Sequence, residues 1–351
     1  MTRRTLIAIA LCVVFGAGGI AVRQYATETQ SSLANRQPTE SERIWTEKIR
    51  ALGGKAAYAS LAKEIEGMAP EVQHTSAHAF GAALFAVEDN AGLSVCDARF
   101  SYGCFHEFMG NSIASHGLSV VNELNEGCIR VLVKSPLSCQ HGIGHGILAS
   151  LGYDEESLIT SLGECAKLPY SDRIGGCYGG VFMEYNMQTM LGKQGHLRSA
   201  DSEEGLYKPC VGLESKYHAS CVFWQPQWWH IAVLHAESSE ESFAQLGTYC
   251  RGMTHTKELR RECFQGIGNI TNPATDFDVV RSRELCDATS SDHLERLYCR
   301  AYAANSLLNG GGGKIGDGDA LCDGLPESER EFCLAYARNE ANSANVLESP
   351  L

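Results

Sequence analysis

The chain has 351 residues, 44% of them hydrophobic, so it can bury a substantial core and we expect a globular protein. Its formal net charge is −13. This charge argues against nucleic acid as a partner, because a phosphate backbone is bound by an excess of lysine and arginine, and it is compatible with cationic ligands, metals or neutral partners.

Residues 1–22 predict an export signal, because a short basic start is followed by an uncharged apolar run. The run is about as long as the roughly 17–25 residues that span a bilayer. We expect residues 5–22 to anchor the protein in a membrane, with a cleaved signal peptide as the alternative. Residues 23–38 are polar and predict a flexible stalk, residues 39–343 form the predicted repeat domain, and residues 344–351 are a tail.

The cysteines of the repeat domain occur in couples. Apart from Cys12 there are fourteen, and the members of each couple are separated by seven to twelve residues. The couples are Cys96 with Cys104, Cys128 with Cys139, Cys165 with Cys177, Cys210 with Cys221, Cys250 with Cys263, Cys286 with Cys299, and Cys322 with Cys333. Their second members recur every 34 to 44 residues, which is the period of a two-helix repeat.

The residues after the second cysteines confirm this register. Cys139 and Cys263 both begin the frame Cys-x-x-Gly-Ile-Gly, and Cys177 begins a looser copy. In the same register, VQHTSAHAF from Val72 matches CQHGIGHGI from Cys139, so a cysteine-free repeat begins the domain. The sequence therefore predicts an all-α fold, an αα-hairpin solenoid of about eight repeats preceded by the N-terminal hydrophobic helix.

We expect most repeats to contain one disulfide. DEESLITSLGECAKL reads as a helix capped by Asp154 that ends at Cys165, and a short turn leads to a second helix with Cys177. A disulfide there would close a loop of about a dozen residues and contribute roughly 2–3 kcal/mol. An even number of cysteines in an exported chain favours an oxidising, extracytoplasmic compartment, the periplasm or the cell surface. Structural zinc is the alternative, although its cysteines usually lie only about two to four residues apart.

The array resembles, in architecture, the cysteine-rich Sel1-like repeat proteins, which are exported solenoids of helix hairpins with one disulfide per repeat. The resemblance covers about residues 41–343 and implies an αα-solenoid that interacts with other proteins. It transfers no site residue. Sel1-like repeats space their cysteines by seven residues, which only Cys96 and Cys104 reproduce here, and the Gly-Ile-Gly frame is not part of their consensus.

Each second helix has two equivalent positions, two and six residues after its cysteine, which we call the slots. They lie four residues apart and so share one face of the helix. From the first repeat to the eighth, the slots hold His74 and His78, His106 and Gly110, His141 and His145, Gly179 and Met183, Phe223 and Gln227, Gln265 and Asn269, Ala301 and Asn305, then Ala335 and Asn339.

The five slot histidines of the first three repeats predict a metal site: His74, His78, His106, His141 and His145. Second helices of a solenoid lie side by side, about 8–10 Å apart and commonly on its concave face, so imidazoles from neighbouring helices can converge. Imidazole ligands suit zinc, copper or iron rather than calcium or magnesium. Glu184 and Glu107 are candidate carboxylate ligands or general bases. We favour Glu184, because Glu107 departs from the slot face by about 100°.

Two functions remain open at this point. In the first, the histidine groove binds a transition metal, either to store, sense or deliver it or to activate a water or oxygen as an enzyme would. In the second, the protein is an interaction scaffold whose histidines, Gln227 and later asparagines bind a partner peptide or protein in the concave groove without metal. His116 lies beyond the slots, and we expect it to support the site or to be incidental.

Three of the four tryptophans, Trp224, Trp228 and Trp229, lie close together in the fifth repeat. Exposed tryptophans there would offer a contact surface for a peptide, a sugar or a membrane. We expect them instead to fill the core.

Overall fold

The structure is a computed structural model that describes residues 37–132, 136–169, 174–190, 198–310 and 315–338. Within these ranges the chain is all-helical and contains no β-strand, as predicted. The predicted N-terminal anchor, most of the stalk, Asn339 and the tail lie outside the described residues. The helices are α1 (Glu40–Leu52), α2 (Gly54–Glu64), α3 (Pro70–Glu88), α4 (Gly103–His116), α5 (Val121–Val131), α6 (Pro136–Leu151), α7 (Glu155–Cys165), α8 (Cys177–Met190), α9 (Glu203–Tyr207), α10 (Ser215–Trp228), α11 (Glu240–Met253), α12 (Lys257–Ala274), α13 (Val279–Ala288), α14 (His293–Gly310), α15 (Ile315–Leu321) and α16 (Glu327–Ala337).

Several helices begin at residues whose side chains satisfy free backbone N–H groups. The side chain of Thr39 accepts from the N–H of Glu42, and Glu42 accepts in return from the N–H of Thr39, which starts α1 with a capping box. The Asp154 carboxylate accepts from the N–H of Ser157 at 2.7 Å and starts α7. The predicted cap at Asp154 is therefore confirmed.

The helices that carry the second cysteines, preceded by α1 and α3, pack against one another in chain order. The row runs α1, α3, α4, α6, α8, α10, α12, α14 and α16, and each member packs against the next. Glycines bring α6 and α8 into backbone contact: a Cβ atom on Gly144 would lie 2.0 Å from the carbonyl oxygen of Cys177, and one on Gly180 would lie 1.9 Å from that of His141. Glycine is required at both positions, because any side chain would force the two helices apart.

All seven predicted cysteine couples form disulfides, with Cα–Cα distances of 5.4 to 5.7 Å, which is the ordinary range for this bond. Cys165 is the last residue of α7 and Cys177 the first of α8, so their bond joins two helices across the turn as expected. Seven disulfides indicate an oxidising, extracytoplasmic environment. The bonds join Cys96 to Cys104, Cys128 to Cys139, Cys165 to Cys177, Cys210 to Cys221, Cys250 to Cys263, Cys286 to Cys299, and Cys322 to Cys333.

The position of the disulfide relative to the helices varies among the repeats. In the fifth repeat Cys221 lies inside α10, whereas its partner Cys210 lies in a short 3₁₀ turn before that helix. In the eighth repeat Cys333 lies inside α16, and its partner Cys322 directly follows α15. The expectation that the bond joins two helices therefore needs a correction in two repeats. In the fifth repeat the first cysteine lies in a turn, and in the second repeat Cys96 follows the 3₁₀ segment Asp89–Val95, although the predicted pairing is correct in both.

The three clustered tryptophans are buried, which confirms that they belong to the core. Trp228 and Trp229 are no more than 1% exposed, and Trp224 is 9% exposed.

Among the described helices, not one combines the length and the apolar character needed to cross a bilayer. The predicted anchor, residues 5–22, lies outside the described residues.

Candidate metal centre

Three neighbouring helices bring the five slot histidines into one group, which we call the histidine cluster. Helix α3 contributes His74 and His78, whose Nε2 atoms lie 3.0 Å apart. Helix α4 contributes His106, whose Nδ1 lies 3.3 Å from Nε2 of His78. Helix α6 contributes His141 and His145, with ring centroids 5.4 and 5.1 Å from that of His106. His106 therefore stands between two histidine pairs.

The cluster contains two compact sets of three rings. His74, His78 and His106 form the first triad, and His106, His141 and His145 form the second; within each, the candidate ligand nitrogens all lie within 4.8 Å of one another. Tetrahedral zinc with bonds of about 2.0–2.1 Å to nitrogen needs nitrogens about 3.3 Å apart. Two of the three nitrogen pairs of the first triad come close to this spacing, with separations of 3.0 and 3.3 Å.

One ring of each pair is held by a backbone carbonyl. Nδ1 of His74 lies 2.8 Å from the carbonyl oxygen of Phe100, and Nδ1 of His141 lies 3.1 Å from that of Gly175. Both carbonyls lie just before the next helix of the row, α4 or α8, and Phe100 belongs to a 3₁₀ turn there. Because a carbonyl can only accept, Nδ1 carries the proton in both rings, and Nε2 keeps a free lone pair.

The other ring of each pair faces a carboxylate on the next helix of the row. Nδ1 of His145 lies 2.9 Å from Oε2 of Glu184, and the other oxygen of Glu184 accepts a 2.9 Å hydrogen bond from the hydroxyl of Tyr153. Nδ1 of His78 lies 3.6 Å from Oε2 of Glu107, which is longer than a hydrogen bond. The structure thus places both glutamates beside the outer Nδ1 atoms, where they can orient the rings, rather than beside the nitrogens that face one another.

One inner nitrogen of the cluster lacks a partner. Nε2 of His145 is fully buried and has no hydrogen-bond partner among the described residues. The Nε2 atoms of His74 and His78 face each other at 3.0 Å, so a proton or a cation must lie between their lone pairs. A buried polar nitrogen without a partner costs about 1–3 kcal/mol, so the folded chain retains that of His145 at a cost in stability.

Burial keeps three imidazoles of the cluster neutral. The pKa of His74 and of His141 is lowered to about 3 in each case, mainly by burial and in part by neighbouring imidazoles. Burial also lowers the pKa of His106 well below its usual range, with smaller contributions from the four rings around it. These three rings are therefore neutral at pH 7, which is the form that binds metals.

The cluster is closed on one side and reaches solvent on the other. Trp224 of α10 packs against His141 with ring centroids 5.4 Å apart, and its indole N–H donates to the carbonyl oxygen of Ile174 at 3.2 Å. The side chains of His78 and His145 are 20% and 14% exposed.

The structure separates His116 from the cluster. Its Nε2 lies 2.9 Å from Oδ1 of Asp89 in an exposed pair, and its ring packs against Phe85.

Sequence reasoning missed the supporting groups of the cluster. The carbonyls of Phe100 and Gly175 and the hydroxyl of Tyr153 carry no motif from which they could have been identified.

No protein-family model, curated protein or solved structure matches this chain.

Proposed function

We propose that this protein is an extracytoplasmic αα-solenoid that binds a transition metal (zinc, copper or iron) in the histidine cluster. The row of helices in chain order and the seven disulfides support the solenoid. We further propose that residues 5–22 anchor it in the membrane, on the evidence of their sequence.

One observation carries the metal proposal: three rings hold Nδ1 on an acceptor outside the cluster and leave Nε2 for its interior. The acceptors are the carbonyls of Phe100 and Gly175 and the carboxylate of Glu184, and a fourth ring, that of His78, turns its Nδ1 toward Glu107 at 3.6 Å. Histidines that bind metals almost always hold their second nitrogen in this way, because the acceptor fixes the tautomer and orients the ring. The buried, unpartnered Nε2 of His145 is the nitrogen that such an ion would satisfy.

The donor set favours borderline transition metals. All the converging atoms are imidazole nitrogens, whereas calcium and magnesium prefer oxygen. The surplus of carboxylates in the chain, with a net charge of −13, also attracts cations. A metal held by three imidazoles keeps an open coordination position at which a bound water is made more acidic.

The interaction scaffold is the alternative function, and the later slots give it less support. Gln265 is 1% exposed, so it is buried in the helix row rather than presented to a partner. The side-chain amide of Asn305 donates to the carbonyl oxygens of Tyr336 and Ala337 in α16, and so joins two helices. Neither residue extends a polar groove beyond the histidine cluster.

Elemental analysis of the purified full-length chain tests the proposal. The test variant carries His74→Gln, His106→Gln and His141→Gln, which touches both triads and uses the residue that the sixth repeat has in the same slot. A matched control carries His116→Gln, His218→Gln and His293→Gln, three histidines outside the triads. We expect bound zinc, copper or iron in the wild type and the control, and its loss in the test variant. Equal, negligible metal in all three proteins would refute the metal function and leave the scaffold.

A further inference from the structure

The five rings of the histidine cluster are too widely spread for a single ion. Within each triad the candidate ligand nitrogens all lie within 4.8 Å of one another. No group of four or five of the described histidines has nitrogens that lie so close together. Two nitrogens bound to the same ion at about 2.1 Å can be no more than about 4.2 Å apart. One ion therefore cannot bind both histidine pairs unless the helices move.

The two pairs are nevertheless built in the same way. In each, the first ring is held by a carbonyl just before the next helix of the row, and the second faces a carboxylate on that helix. Since each pair has its own orienting groups, each is prepared to bind an ion of its own. Two rings are too few for a firm site, so each pair needs a third ligand.

His106 is the ring that both pairs share. Its contact differs from those of the other four, because its Nδ1 faces not a carbonyl or carboxylate but Nε2 of His78, at 3.3 Å. Its ring centroid lies 5.1 to 5.4 Å from those of the other four histidines. An imidazole has two nitrogens and can therefore serve two ions at once.

We propose that the cluster holds two metal ions, one in each triad, bridged by His106 through Nδ1 to the first ion and Nε2 to the second. This inference rests on the proposed metal function. A bridging ring must use both nitrogens as donors, so its single N–H proton leaves to the solvent when the second nitrogen–metal bond forms. The positive charge of two ions replaces that proton.

The number of zinc ions bound by the full-length chain tests this proposal. The protein is loaded with excess Zn²⁺, dialysed, and analysed for zinc per chain. We expect two ions in the wild type and one in each of two double variants, His74→Gln with His78→Asn and His141→Gln with His145→Asn, which place the sixth repeat's own slot residues in one pair at a time. Circular dichroism checks that the variants fold. The number of zinc ions per wild-type chain tests the two-ion proposal even if a variant does not fold.

Copper tests the bridge itself. Two Cu²⁺ ions joined by one imidazolate couple their spins, so electron paramagnetic resonance of the copper-loaded wild type should count far fewer spins than copper ions. Either pair variant, with one Cu²⁺, should count one spin per copper. One spin per copper in a wild type that binds two ions would overturn the bridge.

The zinc count also separates the two levels of inference. One zinc per wild-type chain would overturn the two-ion site and leave the metal function in place. No bound zinc in the wild type would overturn both.

Discussion

The third and sixth repeats use the same backbone arrangement for different side-chain chemistry. A Cβ atom on Gly144 of α6 would lie 2.0 Å from the carbonyl oxygen of Cys177, and one on Gly268 of α12 would lie 2.3 Å from that of Cys299. The two helices therefore pack against their successors through equivalent glycines. The slots on either side of these glycines hold imidazoles in α6 and side-chain amides in α12.

This difference shows that packing of the helix row does not require histidine. The sixth repeat buries Gln265 in the slot where the third repeat has His141. The seventh repeat has a buried alanine, Ala301, in that slot, and uses Asn305 to bond to the next helix. Because the row continues without imidazoles, the histidines of the first three repeats need another explanation, and metal binding supplies one.

Reduction of the disulfides should have the largest effect, because they occur in both regions. Each closes a loop that contributes roughly 2–3 kcal/mol, so losing all seven should abolish most of the free energy of unfolding. We expect dithiothreitol to lower the thermal midpoint followed by circular dichroism in the wild type and in the three-histidine variant alike. An unchanged melting curve in the reductant would show that the disulfides do not hold the repeats together.

Acidification of the metal-free protein should destabilise the histidine slots of the first three repeats but not the amide slots of the later repeats. Burial lowers the pKa of His74 and His141 from about 6.5 to about 3. The unfolded chain therefore binds protons that the folded chain does not, and this contribution to stability is complete above pH 6.5 and is lost as the pH falls toward 3.

Denaturant unfolding between pH 7 and pH 4, in the presence of a chelator, measures this loss. We expect a steeper fall in the free energy of unfolding for the wild type than for the variant with glutamine at the slots of His74, His106 and His141. The amide slots of the later repeats do not titrate and remain common to both proteins. Parallel curves would mean that the cluster is not buried in solution as described.

Much of the fold and of the cluster could be predicted from the sequence, because both depend on periodic spacing. The cysteine couples gave the helix hairpins, and the slot periodicity identified the five rings that the helix row places together. The division into two triads could not be predicted, since it depends on the angles at which the helices cross. The position of Glu107 could not be predicted either, because it depends on how α3 packs against α4. That packing brings His78 to within 3.6 Å of Glu107, a side chain outside the slot face.

The orienting carboxylates should have a moderate effect, confined to the histidine region. Glu184→Gln removes the charge beside Nδ1 of His145, so we expect metal affinity to fall about 10- to 100-fold, as is typical of such supporting groups. Glu107→Gln should have a smaller effect, because that carboxylate lies 3.6 Å from its ring. Calorimetric titration with Zn²⁺ compares the two. Equal affinities in the wild type and Glu184→Gln would show that the carboxylate does not support a ligand.

The smallest effect should come from a change in the later repeats, whose slots hold amide side chains. Asn305→Ala removes hydrogen bonds to the carbonyls of α16 and should lower the free energy of unfolding by about 1 kcal/mol. Metal content should not change. Loss of metal in this variant would contradict the separation of the two regions.

Anomalous diffraction from crystals of the zinc-loaded, full-length protein tests the central claim most directly, because it locates the ion itself. We predict peaks at the zinc absorption edge about 2.0–2.1 Å from imidazole nitrogens of the histidine cluster. Zinc peaks found only elsewhere on the protein, with the rings of His74, His78, His106, His141 and His145 free of metal, would contradict it.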